Sequence, residues 1–322
     1  MKKSLIGFLM LTAVLLTGCQ RTTEELLSYE DTLSKQTSTM DQRITQSDFI
    51  AKDIAVVTDQ ENVGGDETIT AGAALFINQT DKEIIYADHV FDQLYPASLT
   101  KLMTALVVLR YGELNDLVTI GQNATDISKI GAKVCGYKEG DTVTLEALLY
   151  SLIVYSGNDA AIAIAEHVGS NEENFVNLMN KEALKIGAVH SNFVNSHGLQ
   201  KEDQLVTAYD IYLIMKELLT YDTFKTILGT NSYTAIYHDK EGVEKQKTFS
   251  STNPYKEDNE TTAGELTILG GLAGSTNKAG HCLILYSKDQ DNKEYISILL
   301  KTNDSDSLYT QMNSLLLSTS TK

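Results

Sequence analysis

The chain is 322 residues long, 42% hydrophobic and 21% charged, which supplies the apolar material for one large domain or two small ones. Its formal net charge of −17 gives an acidic surface that repels phosphate backbones and argues against nucleic acid as a partner. Of the three cysteines, Cys135 and Cys282 are expected as small buried residues, with a bridge between them as the alternative; Cys19 belongs to the N-terminal segment.

Lys2 and Lys3 precede an apolar run from Leu5 to Leu16, a basic start and an apolar core too short to span a membrane, as in a secretory signal. The ending Leu16-Thr17-Gly18-Cys19 resembles the lipobox of bacterial lipoproteins. That resemblance implies removal of residues 1–18, lipidation of Cys19, and an exported protein held on the extracytoplasmic face of the cell membrane by its N-terminal lipid. An ordinary signal peptide or a retained anchor is the alternative, and export follows in either case. Residues 19–65 are rich in Thr, Ser, Gln, Asp and Glu, and read as a solvated polar tether with room for one short helix. Gly64-Gly65 marks its boundary with a folded domain over 66–322.

The run from Ala71 to Ile77 predicts a buried strand, Asn78 to Lys82 a turn, and Glu83 to Ala87 a returning strand. A helix is expected from Ser98, followed by a loop-rich polar segment from Thr119 to Asp141. Thr144 caps a second helix with Leu145, Leu148, Leu149, Leu152 and Ile153 on its apolar face, stopping at Ser156-Gly157-Asn158. Helices are expected over 159–167 and 172–186, a turn over 195–199, and a helix capped by Thr207. Residues 230–262 read as strands and an exposed hairpin or loop. Leu266–Leu269, Cys282–Tyr286 and Tyr295–Leu300 are short apolar runs that read as strands, and Asp306–Leu317 closes the chain as an amphipathic helix. Strands at both ends with helices between them predict one α+β domain, its antiparallel sheet made from the N- and C-terminal segments around a central helical cluster.

Chemistry concentrates at Ser98-Leu99-Thr100-Lys101. Residues three apart on a helix face the same way, and Leu102, Leu106 and Leu109 continue the helical spacing after Pro96. A serine hydroxyl is a poor nucleophile until a base takes its proton, and a lysine kept neutral by desolvation can be that base. The same spacing recurs at Ser275 to Lys278, but after a glycine-rich turn and without an apolar helical repeat. Two further landmarks follow Ser98 in order: Ser156-Gly157-Asn158, and the glycine-rich turn from Gly270 to Thr276. Acyl transfer needs a nucleophile with its base, a proton relay to the leaving amine, and N–H donors for the oxyanion.

Pro96 to Lys101, Ser156 to Ala161, Asn195 to Leu199, and Thr276 to Leu283 together resemble the D-alanyl-D-alanine carboxypeptidases, penicillin-binding serine hydrolases, over roughly residues 70–320. The resemblance implies a β-lactamase/transpeptidase-like fold and peptidoglycan stem peptides as substrate. Ser98 is then the nucleophile and Lys101 its base. Ser156 relays a proton to the departing D-alanine, and Asn158 positions Lys101 or the substrate amide. The N–H groups of Ser98 and Ser275 form the oxyanion hole, with Thr276 next along the strand. β-Lactams acylate Ser98, and the mechanism calls for no metal or organic cofactor.

The family's Lys-Thr-Gly motif, which binds the substrate's terminal carboxylate, is replaced here by Leu272-Ala273-Gly274. Losing a charge-assisted hydrogen bond costs about 1.5–3 kcal/mol, so low or altered activity is expected. Gly274 preserves the backbone beside the oxyanion donor, and Lys278 is a candidate substitute cation. His197 reads as a structural turn residue and Glu166 as a solvated helix residue. Two other readings stay open: a non-catalytic protein of this fold that recognises cell-wall peptide or a protein partner, and a serine hydrolase whose substrate lacks a terminal carboxylate, with Leu272 as an apolar pocket wall.

Overall fold

The run Ala73–Asn78 forms strand β1, and every one of its residues is buried. A strand covered on both faces needs such a continuous apolar run rather than alternation. β1 pairs antiparallel with β2 (Glu83–Asp88) on one side and with β10 (Glu294–Thr302) on the other, in a register from Ala73↔Leu300 to Asn78↔Tyr295. β9 (Gly280–Lys288), β8 (Leu266–Thr276) and β7 (Thr262–Ala263) complete the sheet in the order β2-β1-β10-β9-β8-β7. Both ends of the folded chain thus build one sheet, as the sequence predicts. The computed structural model describes residues 54–57, 67–130, 132–253, 255, 262–263 and 265–318; the signal segment, Cys19 and most of the tether lie outside them.

Successive strand residues face opposite sides, and the two sides carry different cores. Leu75, Ile77, Ile284, Ile296 and Ile298 face a helical lobe. Phe76, Leu283, Leu285 and Leu299 face the closing helix α8 (Ser305–Leu317) through Leu308, Met312, Leu315 and Leu316. At the centre of the lobe lies α1 (Thr100–Tyr111), buried continuously from Thr100 to Val108. Around it stand α3 (Leu145–Ile153), α4 (Asn158–Gly169), α5 (Glu172–Lys185) and α6 (Ala208–Leu218). Thr144 and Thr207 cap α3 and α6 as expected, accepting from Ala147 N and Asp210 N. At the far end of α1, Arg110 pairs with Glu182 on α5 and, at 2.5 Å, with Glu217 on α6, so the helix carrying Lys101 is fixed at both ends.

Three expectations change. The polar segment 119–141 is not all loop: β3 (Leu117–Thr119) leads to α2 (Gln122–Asp126) and a 3-10 turn over Ile127–Ile130, where Thr125 and Ser128 donate their hydroxyls to the carbonyls of Gln122 and Thr125. The glycines from Gly270 to Gly274 make no turn but continue β8. A side chain at Gly270 would place its Cβ 2.6 Å from Leu228 O, so glycine marks a close crossing rather than a reversal. The folded body also begins before residue 66. Ala55 is fully buried, donating its N–H to Tyr212 Oη at 2.9 Å and accepting from Tyr209 Oη at 2.8 Å. The expected hairpin after residue 230 is β5 (Ser232–His238) and β6 (Glu244–Ser250), which extend β3 and β4 (Thr142–Thr144) into a second sheet; α7 (Asp222–Leu228) precedes it. Cys135 and Cys282 are both free and buried.

Candidate active site

Ser98 lies not in α1 but in a 3-10 turn, Ala97–Leu99, immediately before it. Leu99 N donates to Pro96 O at 3.1 Å and Thr100 Oγ1 to Ala97 O at 2.9 Å, and these tighter bonds displace the start of the helix to Thr100. Ala97 holds a φ of +47°, a left-handed conformation that a non-glycine residue adopts at a cost. The turn keeps the serine and lysine on one side, with Lys101 Nζ 3.3 Å from Ser98 Oγ.

Lys101 is fully buried. Its Nζ donates to Asn158 Oδ1 at 2.9 Å and to His197 O at 2.6 Å, both neutral acceptors. Burial without a paired carboxylate lowers its pKa from 10.5 to about 7, with the nearby Lys133 ammonium acting in the same direction. A neutral amine donates two hydrogens, which Asn158 and His197 take, and leaves its lone pair for the third neighbour, the Ser98 hydroxyl.

Asn158 opens α4, and Ser156 sits in the preceding loop with φ +63°, 6% exposed. The backbone N and the side-chain Nδ2 of Asn158 both donate to Lys133 O, each at 2.9 Å. The neighbouring Asp159 accepts from Cys135 N and Gly136 N, each at 2.8 Å. These four bonds fasten the segment 133–136 to the start of α4. His197 is presented by a turn in which Asn195 Oδ1 accepts from Gly198 N at 2.7 Å, while Ser196 O accepts from Thr104 Oγ1 of α1 at 2.6 Å. Burial pushes the His197 imidazole down to about 3, and its Nδ1 accepts from Leu199 N at 3.1 Å, so the ring is neutral with its remaining hydrogen on Nε2.

β8 closes the other side. Among the described residues its pairing with β7 stops at Thr267, and at Gly274 it passes directly against the Ser98 turn. A Cβ at Gly274 would lie 2.5 Å from Ser98 N, which is why only glycine fits there. Between the two walls is a cleft of about 490 Å³. Ser98, Lys133, Ser156, Asn158 and His197 line it from the helical side, and Ala273, Gly274, Ser275, Thr276, His281 and Tyr309 from the sheet side.

The structure therefore brings together Ser98, Lys101, Ser156, Asn158, Ala273, Gly274, Ser275 and Thr276. It does not bring Leu272 to the cleft: that side chain is fully buried in the core beneath the sheet, because alternate strand residues face opposite sides. Leu272 is thus no pocket wall. Lys278 is exposed, lies 3.8 Å from Glu202, and does not line the cleft. The Ser275 to Lys278 spacing runs off the end of a strand rather than along a helix. Glu166 accepts from Asn123 Nδ2 at 2.7 Å on the surface of α4, as a solvated helix residue should. Lys133, His281 and Tyr309 carry no motif or periodicity that singles them out, and only the tertiary fold places them here. His197 contributes more than a turn, since its carbonyl is a partner of Lys101.

A family model described as D-alanyl-D-alanine carboxypeptidase matches residues 57–304. The chain is similar to D-alanyl-D-alanine carboxypeptidase DacC of Escherichia coli (32% identical over 241 residues, 72% of this chain and 57% of the relative). It is also similar to DacF of Bacillus subtilis (32% identical over 165 residues, 50% of this chain and 42% of the relative). The chain thus spans about half the length of these curated relatives. Among solved structures, the DD-transpeptidase of Streptomyces K15 superposes with a TM-score of 0.70 at 27% identity, covering 78% of this chain and 98% of that one.

Proposed function

The chain belongs to the D-alanyl-D-alanine carboxypeptidase family, and from that premise we propose that it is a serine-type D-Ala-D-Ala carboxypeptidase acting on peptidoglycan stem peptides. The observation that carries the proposal is the state of Lys101: fully buried, with a pKa of about 7, and 3.3 Å from Ser98 Oγ. A base with that pKa is half neutral near physiological pH and can take the serine proton as Oγ attacks.

In the proposed reaction, Ser98 Oγ adds to the carbonyl carbon between the two D-alanines and its proton passes to Lys101 Nζ. The resulting ammonium is held by Asn158 Oδ1 and His197 O. The oxyanion is received by the N–H groups of Ser98 and Ser275, a reading supported by the close approach of Gly274, the residue before Ser275, to Ser98 N. Ser156 carries a proton to the departing D-alanine amine, the carbon–nitrogen bond breaks, and water then hydrolyses the ester on Ser98. A β-lactam enters the same path and stops at the ester. The basic start, the apolar run and the Leu16-to-Cys19 ending support an exported enzyme tethered through a lipid at Cys19.

The test is to incubate the protein with a fluorescent penicillin and with a D-Ala-D-Ala peptide, beside a Ser98→Ala control. Labelling and D-alanine release that both vanish in the control are expected; absence of both in the unaltered protein refutes the enzyme. One observation favours a second reading, a peptide-binding protein without turnover: the cleft wall at Ala273 has neither hydroxyl nor cation where the family carries Lys-Thr. Labelling without release is the result that reading expects.

A further inference from the structure

We propose that Lys133 is a substrate-binding residue whose ammonium receives a carboxylate of the peptide in the cleft, the charge partner that Leu272 and Ala273 cannot supply. The inference rests on the carboxypeptidase reading for its substrate class, and on independent geometry for its residue.

The sheet-side wall offers no cation. Ala273, Gly274, Ser275, Thr276, His281 and Tyr309 contribute hydroxyls and one imidazole, and the end of α8 nearest the cleft is flanked by Asp304 and Asp306. Lys133 is the one lysine or arginine among the described residues lining the cleft. Lys101 lies buried beneath it, occupied by Asn158 and His197.

Lys133 is held where such a role needs it. Its carbonyl oxygen accepts both N–H groups of Asn158, and the next two amides in the segment after Val134 are held by Asp159. The backbone carrying the lysine is thus tied to the residue that also holds Lys101. Its Nζ stands 4.2 Å from the centre of the Tyr155 ring, and Tyr155 immediately precedes Ser156. That ring attracts the ammonium of a lysine that lines the cleft beside Ser156 and Asn158.

Among the described residues the charge has no carboxylate partner. Lys185, Lys225 and Lys293 each lie within 2.7 Å of a carboxylate, whereas none of the described carboxylates forms an ion pair with Lys133. Partial burial lowers its affinity for a proton, and the nearby Cys135 thiol opposes this without reversing it. A solvent-accessible cation that lines the same cleft as the nucleophile, with no ion pair to a described carboxylate, is complementary to an anion brought in by the substrate. The carboxylate can be the peptide's terminal one or one within its acyl part. Both present the same chemistry, and the test separates them.

Equilibrium binding to the full-length Ser98→Ala protein reads this without turnover. The probes are diacetyl-lysyl-D-alanyl-D-alanine, its C-terminal amide, and acetyl-γ-D-glutamyl-lysyl-D-alanyl-D-alanine amide, whose one carboxylate is internal. Whichever carboxylate Lys133 receives, the probe carrying it should bind about 10-fold more tightly than the uncharged amide. Lys133→Met in the same background should reduce that preference to less than about 2-fold, and Lys133→Arg should restore it. A preference unchanged by Lys133→Met, or no preference for either carboxylate, overturns the proposal. Measuring D-alanine release by the Ser98 protein in parallel keeps the two readings apart. Release with an unchanged preference removes Lys133 alone, while a Lys133-dependent preference without release removes the carboxypeptidase activity alone.

Discussion

Asn158 joins Lys101 to the cleft's outer segment through a single amide: Oδ1 accepts from Lys101 Nζ at 2.9 Å and Nδ2 donates to Lys133 O at 2.9 Å. An amide in that position fixes the lysine without neutralising a positive charge, as an aspartate would. The low proton affinity of Lys101 depends on that neutrality.

Penicillin acylation should therefore follow the neutral form of Lys101, rising with pH about tenfold per unit below 7 and levelling above it. Stopped-time labelling between pH 5 and 9 measures this, and a flat profile would refute the assignment of Lys101 as base. Lys101→Ala should slow acylation by roughly 10²- to 10⁴-fold.

The same shift has a sign in stability. The folded pKa of about 7 lies below the ordinary 10.5, so between those values the unfolded chain binds more protons and the native state gains stability as pH rises. Lys101→Met removes that dependence. Urea denaturation at pH 7 and pH 9.5 should show the unaltered protein gaining relative to the variant, by at most about 1.4 kcal/mol per unit. An equal difference at both pH values would contradict it.

Gly274→Ala should damage catalysis more than stability. Its Cβ would lie 2.5 Å from Ser98 N, and either β8 or the serine turn must yield. Displacing a nucleophile by about 1 Å costs on the order of 10²-fold. Acylation rate and thermal melting measured together separate this outcome from simple unfolding.

Restoring the two missing side chains should not act symmetrically. Leu272 is fully buried, so Leu272→Lys places a charge in the core and should destabilise the fold by more than about 2 kcal/mol. Ala273 lines the cleft, and Ala273→Thr adds a hydroxyl there at little structural cost. D-alanine release should rise several-fold with Ala273→Thr alone, consistent with one added hydrogen bond of about 1 kcal/mol. No change would mean that Ala273 does not meet the substrate.

The fold was legible because its strongest signals are local and periodic. The continuous apolar run at β1, the threonine-capped apolar faces of α3 and α6, and the three C-terminal runs each report burial through their own sequence. The nucleophile with its lysine was legible for the same reason, since a spacing of three within a turn brings two side chains together wherever the turn occurs. Gly270 to Gly274 misled because glycine signals both reversal and close approach, and only the positions of Leu228 and Ser98 distinguish the two. Leu272 misled because a strand that crosses from core to cleft does not announce which of its alternate faces is buried. Lys133 was silent: its significance comes from Asn158 and Tyr155, which lie elsewhere in the chain.

The order of strands has a consequence for how the molecule comes into being. β1 lies between β2 and β10 in the sheet, and β10 is synthesised long after it, with Ala73 awaiting Leu300. Pairing across so long a separation is slow, because the intervening chain must be closed into a loop before any contact rewards it. The strand that faces Ser98 comes equally late, at Leu266–Thr276. A chain cut before that strand retains Ser98, Lys101, Ser156 and Asn158 but has only one wall of the cleft. Fragments that end before β8 should therefore be inert, and the cleft is complete only when β8 has folded back against the Ser98 turn.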